Sequence, residues 1–78
     1  MKQSERAFLA SAGIVPGMET AEIKAVLDRE AKVHRGGNMV FDGEDVDFDF
    51  RPGALILNGV RRTASQIKTA LHWYARKE

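Results

Sequence analysis

Residues 39–62, MVFDGEDVDFDFRPGALILNGVRR, carry the strongest structural signals in the chain and indicate a small antiparallel sheet. The dipeptide Asp42-Gly43 predicts a two-residue hairpin, because the favoured turns need positive φ, which Asp tolerates and Gly adopts freely. In residues 44–50, valine and phenylalanine alternate with aspartate, which is the period-two pattern of a strand with one buried face and one wet face. Residues 39–41 and 44–50 are therefore predicted to be the first two strands.

Two further turn signals follow this pair of strands. Pro52-Gly53 supplies the fixed φ and the free φ that a type II turn needs at its two central positions. Residues 54–57, ALIL, are predicted to be a third strand, after which Asn58-Gly59 turns the chain again. The sequence therefore predicts a three-stranded meander whose phenylalanine side needs a helical layer to cover it.

Apolar residues at helical spacing predict two helices before the sheet. The first covers residues 5–12, and Ser4 is its predicted N-cap. The second follows Thr20, which is also a predicted N-cap, and runs to about His34, and the pair Gly36-Gly37 is expected to end it. Acidic residues near the start of each helix favour this assignment, because they interact well with the helix dipole.

The third helix, residues 64–77, has the clearest start. Thr63 and Gln66 have the T-x-x-Q spacing of a capping box, in which each side chain accepts a hydrogen bond from the other residue's backbone N–H. The predicted fold class is α+β, in the order ααβββα, as a single small domain over residues 1–78 with helices packed on one sheet face. The predicted core consists of Phe8, Leu9, Ile23, Val26, Leu27, Val46, Phe48, Phe50, Leu55, Leu57, Ile67, Leu71 and Tyr74.

Length and composition limit the functions that are open to this chain. A domain of 78 residues buries a limited fraction of its surface, so its stability margin is thin and a deep catalytic cleft is not expected. The sequence has no cysteine, which excludes disulfides, a thiolate nucleophile and thiolate metal ligands, and favours a cytosolic protein. No apolar run approaches the length of a membrane span, and the start lacks the apolar core of a signal peptide, so a cytoplasmic location without membrane contact is expected.

The formal net charge of +1 conceals a separation of charge along the chain. Acids are concentrated between residues 42 and 49, whereas residues 51–77 contain bases and no acid. Because alternate residues on a strand lie about 6.6–6.8 Å apart, the aspartates would form an evenly spaced negative row. Such a row could imitate a phosphate backbone and occupy the basic groove of a nucleic-acid-handling protein. The predicted partner-binding residues are Asp42, Glu44, Asp45, Asp47 and Asp49.

Two other interpretations of these acids stay open. Any half-exposed strand needs polar residues on its wet face, and acids there keep a sheet edge from aggregating. Clustered carboxylates also suit Ca²⁺ or Mg²⁺. However, the D-x-D-x-D run lacks the glycine and the later glutamate of an EF-hand loop, and strand geometry spreads the carboxylates too far apart to share one ion. No metal and no other cofactor is therefore expected.

A second candidate surface is the cationic side of the third helix, together with the two arginines before it. Its bases could contact phosphates while its tryptophan stacks on a nucleic-acid base. An ordinary solvated helix face and a protein contact anchored by the tryptophan are the alternatives. The residues of this nucleic-acid-binding alternative are Arg61, Arg62, Lys68, His72, Trp73 and Arg76.

The element order α-β-β-β-α is similar to that of double-stranded-RNA-binding domains, which carry basic residues at the start of their final helix. Arg61 and Arg62 would lie roughly there, so the resemblance implies RNA binding at that end of the domain. In that family the first hairpin turn approaches the RNA. Here residues 41–45, FDGED, form that turn, and their charge would be repelled by phosphates.

No motif in the sequence specifies a reaction. His34 and His72 are isolated from any nucleophile motif, and glycine-rich phosphate loops are absent, so no catalytic residue and no enzymatic activity are predicted. The predicted function is a non-catalytic protein-interaction module, such as the inhibitors of phages and mobile elements, that binds a larger nucleic-acid-handling partner through its acidic sheet face. The alternative is a small nucleic-acid-binding regulator that uses its basic C-terminal helix. Either protein would act as a monomer or a homodimer.

Overall fold

The computed structural model describes the backbone of residues 1–77 and the side chains of residues 1–73. This part of the chain contains three helices and four strands, and the α+β class is confirmed. All three helices contribute to a single core on one face of the sheet. The elements are α1 Gln3–Ser11, α2 Thr20–Val33, β1 Gly36–Phe41, β2 Glu44–Arg51, β3 Ala54–Leu57, β4 Val60–Thr63 and α3 Ala64–Lys77.

The strands form one antiparallel sheet in chain order, β1-β2-β3-β4, and two-residue turns connect them. Asp42 and Gly43 have φ values of 51° and 75°, as a type I′ hairpin requires. Gly53 has a φ of 71°, which is the value that a type II turn needs at its second central position. Phe41 pairs with Glu44 directly beside the first turn. The hairpin predicted from the sequence is therefore confirmed.

The predicted number of strands was wrong, because a fourth strand, β4, lies between the last turn and α3. Asn58 and Gly59 have φ values of 49° and 83°, so this turn folds the chain back onto β3. The segment that follows, VRRT, is short and half cationic, and this composition did not suggest a strand. It forms one because Val60 lies opposite Leu57 across the turn, at a sheet edge where charged side chains can stay in water.

The start of α1 differs from the prediction. The helix begins at Gln3, so Ser4 lies inside its first turn and is buried instead of acting as the N-cap. The cap is Lys2, whose backbone N–H donates to Oε1 of Glu5 at 2.9 Å. A glutamate three residues into the helix thus reaches back to the preceding residue and fixes the start of the helix there.

The same interaction sets the start of α2, and a related one sets the start of α3. Thr20 was predicted as an N-cap but is the first helical residue, because the cap is Glu19, whose N–H donates to Oε1 of Glu22 at 3.0 Å. At α3 the predicted capping box is confirmed. Thr63 N–H donates to Oε1 of Gln66 at 2.9 Å, and Gln66 N–H donates to Oγ1 of Thr63 at 3.3 Å.

The hydrophobic core lies between the helices and the apolar face of β2. The rings of Phe8, Phe48 and Phe50 form its aromatic centre, with centroids 4.7 to 5.9 Å apart. The predicted core is confirmed at all positions but two: Val26 is only partly buried, and the side chain of Tyr74 lies outside the described residues. Buried apolar residues that the sequence did not predict are Ile14, Ala54 and Ala64.

The prediction that the glycine pair ends α2 was wrong, because both glycines belong to β1. The helix ends at Val33, and Arg35 takes a positive φ of 38° before the strand begins. A Cβ atom on Gly37 would lie 3.2 Å from Cζ of Phe48, and one on Gly36 would lie 2.9 Å from the Phe48 carbonyl oxygen. These glycines are therefore explained by the close approach of β2 and its core ring.

Candidate interaction surface

The side of the sheet opposite the helices, here called the open face, carries the row of aspartates. Directly opposed residues of antiparallel strands point to the same side, so the strand register decides which residues share this face. On β2, Asp45 and Asp47 are exposed and Asp49 is half-buried, while the intervening apolar residues are buried. The open face includes Asn38, Val40, Asp45, Asp47, Asp49, Arg51, Ile56 and Arg61.

Negative charge is unevenly distributed along this row. Oδ2 of Asp49 accepts hydrogen bonds from Nη2 and Nε of Arg51, at 2.8 and 3.0 Å, so the charge of this carboxylate is compensated locally. Asp47 accepts a hydrogen bond from the neutral side-chain amide of Asn38. Among the described side chains, no ion pair involves Asp45 or Asp47. The uncompensated charge is therefore concentrated towards the β1–β2 turn.

Three of the five acids predicted to bind a partner lie on the open face, and two do not. Asp42 lies in the β1–β2 turn itself. Glu44 is paired with Phe41, whose ring packs against α1, so the register assigns Glu44 to the helix side at the end of the strand. Both acids are exposed. The turn therefore presents acids on both sides of the sheet and extends the aspartate row around its end.

Apolar and basic side chains share the open face with the aspartates. Val40 is 64% exposed and lies opposite Asp45. Ile56 lies between Asp49 on one side and Arg61 on the other. The presence of Val40 and Arg61 on this surface was not predicted from the sequence. The signal that identifies them is the two-residue length of each turn, which fixes the register of the strands. The face thus combines an acidic end, the exposed Val40 and half-buried Ile56, and a cationic edge.

The residues of the nucleic-acid-binding alternative are distributed over several surfaces. Arg61 and Arg62 are consecutive on β4 and therefore point to opposite sides of the sheet. Arg61 is exposed, whereas Arg62 is half-buried on the helix side, opposite Leu55. Nζ of Lys68 donates to the backbone oxygen of Met18 at 3.1 Å, which ties α3 to the segment before α2. These three bases do not form one patch.

Two exposed rings lie near the end of α3. Trp73 is 56% exposed, and its ring contacts that of His72 edge-on, with centroids 6.3 Å apart. Both belong to the predicted nucleic-acid-binding set. The side chain of Arg76, the remaining member of that set, lies outside the described residues. On the described part of α3, Lys68 and His72 line one groove, and the exposed ring of Trp73 lies beside His72.

A polar cluster, not identified from the sequence, joins α1 to the β3–β4 turn and to the aspartate row. Glu5 is 6% exposed and accepts hydrogen bonds from the Lys2 N–H and from Nδ2 of Asn58, both at 2.9 Å. Asn58 also accepts a hydrogen bond from the Asp47 N–H at 3.0 Å. Burial alone would raise the pKa of Glu5, but these hydrogen bonds and the charges of Arg62 and the N-terminus outweigh it, so the pKa lies below its ordinary value of 4.5.

Replacing Glu5 by glutamine is expected to lower the free energy of unfolding by about 1–3 kcal/mol at neutral pH. The carboxylate accepts hydrogen bonds from the Lys2 N–H and the Asn58 amide, whereas the NH₂ group of glutamine would face one of these two donors. The lowered pKa means that the charged carboxylate stabilises the fold above pH 4.5, and that this contribution is lost as the pH falls through the folded-state pKa. Urea unfolding at neutral and at acid pH measures the loss of stability in the variant and its dependence on pH. The stabilities of the two proteins should converge in acid, and a difference that is the same at every pH would contradict this role of the Glu5 charge.

Asp28 fixes the second turn of the sheet against α2. Its Oδ1 accepts a hydrogen bond from the Gly53 N–H, and its Oδ2 accepts one from Nζ of Lys24, both at 2.7 Å. The pKa of Asp28 lies below its ordinary value, mainly because of the hydrogen bond from Lys24. Burial raises this pKa by a smaller amount, and the Gly53 N–H and the nearby charge of Lys32 lower it further. The two turns that flank β3 are thus each held by a carboxylate on a helix.

Within residues 1–73, no group of three or more His, Asp or Glu side chains is placed to hold a metal ion. His34 lies at the end of α2 with its ring 6.4 Å from that of Phe50, and His72 contacts Trp73 on α3. The two histidines therefore take part in separate ring contacts. None of the described helices has the length and apolar character needed to cross a membrane.

Comparison of this chain with protein-family models, with curated proteins and with solved structures finds no match in any of the three. The fold itself defines a small α+β domain with a four-stranded sheet that is covered by helices on one side. Function is therefore inferred from the geometry and charge of the open face.

Proposed function

We propose that the protein is a non-catalytic protein-interaction module that binds a larger partner through its open face. The observation that carries this proposal is the exposed pair Asp45 and Asp47 on the helix-free side of the sheet, beside the exposed Val40. Protein interfaces combine apolar groups that lose water on binding with charges that select and orient the partner. The open face contains both within one rigid sheet.

The charge pattern favours a partner with a basic groove, as found in nucleic-acid-handling proteins. Carboxylates about 6.6–6.8 Å apart on a strand present a regular negative row, which can occupy a site that otherwise holds phosphates. Since Arg51 compensates the charge of Asp49, the residues that would imitate phosphates are Asp45 and Asp47, which lie nearer the β1–β2 turn. Inhibitors made by phages and mobile elements could act in this way, by filling such a groove.

A second candidate function is that of a small nucleic-acid-binding regulator. Its support is the exposed ring of Trp73 on α3 and the exposed Arg61 on β4. Aromatic rings can stack on unpaired bases, and cations can contact phosphates. The described basic side chains of the protein are dispersed over several surfaces, and this favours the interaction module over the nucleic-acid-binding regulator.

Titration with labelled duplex DNA, duplex RNA and single strands separates the two functions. For the interaction module we expect no change in anisotropy at about 50 mM salt, because the acidic open face repels phosphates. For the regulator, affinity would fall roughly 100-fold between about 50 and 200 mM salt if four cations contact phosphates. Salt-sensitive binding of this kind would contradict the proposed module.

The double replacement Arg61→Ala and Arg62→Ala identifies the surface if nucleic acid binds. The regulator predicts that this variant loses binding, whereas the matched control, Lys24→Ala with Arg29→Ala, removes the same charge from α2 and retains it. Urea unfolding of both variants is measured in parallel, because Arg62 lies near the Glu5 carboxylate. Equal losses in the two variants would indicate a general effect of net charge and no defined site on β4.

A further inference from the structure

The strand β1 is a sheet edge that carries none of the usual protection. Its sequence, GGNMVF, contains no charge and no proline, and its first five residues are exposed. Edge strands of soluble proteins are commonly protected by charged residues, prolines or bulges, because a free edge can pair with another strand. The opposite edge, β4, has such protection in Arg61 and Arg62. An uncovered neutral edge of this length is therefore a candidate for strand addition.

The first hairpin determines which backbone groups of β1 are free. Phe41 and Glu44 close a two-residue turn, so this pair exchanges both of its hydrogen bonds, and the bonding alternates along the ladder from there. Met39 and Gly37 consequently bond to β2. The N–H and C=O groups of the residues between and beyond them point away from the sheet. These outward-facing residues are Gly36, Asn38 and Val40.

We propose that β1 pairs antiparallel with β1 of a second copy of this chain, with Asn38 at the twofold axis, so that the two sheets become one. In this register Gly36 lies opposite Val40 of the second copy, and the two Asn38 residues lie opposite each other. All outward-facing residues are then paired, and roughly six hydrogen bonds join the chains. A twofold interface of this kind uses the same patch on both copies, as most homodimers do.

Side-chain sizes along β1 fit this register. The large residues are at one end of the strand and the glycines at the other, so an antiparallel pair places each large side chain over a glycine. On the helix side, Met39 would lie opposite Gly37. There it would lie over a groove of about 260 Å³ that is lined by the rings of Phe8, His34 and Phe48 and by the Met39 of the chain that forms the groove. Met39 is 46% exposed in the single chain, and contact between a thioether and aromatic rings is favourable.

Charges around the strand also favour a second copy. The proposed register places the turn residue Asp42 of each copy beside His34 and Arg35 of the other, at the end of α2. Opposite charges thus meet at both ends of the paired strands. The two aspartate rows would be three strand spacings apart, about 14 Å, which exceeds the screening length of about 8 Å at physiological salt. Their mutual repulsion is therefore weak.

The test is the mass of the purified chain, measured by light scattering and sedimentation from about 1 μM to about 1 mM. The proposal predicts a concentration-dependent dimer. Val40→Pro removes an outward-facing N–H and leaves the bonds to β2, so it should yield a folded monomer. The matched control Val40→Thr keeps that N–H and should still dimerise. A wild-type chain that stays monomeric throughout, or a dimer that survives Val40→Pro, would overturn the proposal.

Single cysteines introduced into this cysteine-free chain test the register. Asn38→Cys places two thiols opposite each other across the twofold axis, where antiparallel Cα atoms lie about 5.5 Å apart, within disulfide range. Val40→Cys places them about 13 Å apart along the strands. Mild oxidation should therefore cross-link the first variant and not the second, and the reverse order would exclude this register. The dimer does not depend on partner binding at the open face, so each proposal can fail alone.

Discussion

Replacing Phe50 by alanine is expected to lower the free energy of unfolding by about 3–5 kcal/mol, which is the usual loss for a buried phenylalanine. Phe50 is 2% exposed, and its ring contacts those of Phe8 on α1 and Phe48 on β2. The substitution would therefore leave a cavity between the helical layer and the sheet. A domain of this length has a total stability of about 4–12 kcal/mol, so a large part of it would be lost.

Urea unfolding followed by circular dichroism measures this loss. The matched control is Val33→Ala at the end of α2, where the side chain is 76% exposed, and its effect should stay within about 0.5 kcal/mol. A Phe50→Ala variant whose stability falls by less than about 1 kcal/mol would show that the aromatic cluster is not the centre of the core.

The combined replacement of Asp45, Asp47 and Asp49 by asparagine is expected to preserve the fold and to abolish partner binding. Each asparagine keeps the size of the side chain and an acceptor oxygen, and the side chains concerned lie on the open face. The lost ion pair with Arg51 is on the surface and contributes about 0–1 kcal/mol. Removing the uncompensated charges of Asp45 and Asp47, which would face the basic groove, together with the charge of Asp49 should weaken binding roughly 100-fold or more, equal to about 2.7 kcal/mol.

Quantitative capture on the immobilised wild-type chain and on this variant measures the effect on binding. The control is a variant in which glutamine replaces Glu19, Glu22 and Glu30 on α2 and its cap, so that the net charge changes equally on another surface. Glutamine can still accept the hydrogen bonds made there. The partner should be retained by the wild-type chain and by this control, and not by the asparagine variant. Retention by the asparagine variant would remove the open face from the account.

Local turn chemistry explains why much of the fold was predictable from the sequence. Asp42-Gly43, Pro52-Gly53 and the alternation along β2 are signals that depend on neighbouring residues alone, and they placed these two turns, β2 and the core face correctly. The capping box of α3 is of the same kind. The fourth strand was missed because its four residues have no apolar alternation. It exists because the preceding turn directs the chain back onto β3.

The candidate site was less predictable, because its properties depend on residues that are distant in sequence. The aspartate row was visible as a pattern, but the compensation of Asp49 by Arg51 and the position of Val40 beside Asp45 follow from side-chain geometry and strand register. The contact between Glu5 and Asn58 joins residues 53 positions apart, and no local pattern marks it. Sequence therefore indicated which strand carries the acids, and the structure shows which part of the row has its charge compensated.

Binding at the open face is tested most directly by a chemical-shift map of the ¹⁵N-labelled protein with the captured partner. If the open face is the binding surface, the shifted amides should belong to β1, β2 and the β1–β2 turn, with the largest changes around Asp45 and Asp47. The amides of α3 should stay at their free positions. Changes confined to α3 and β4 would exclude the open face as the binding surface and assign binding to the basic helix.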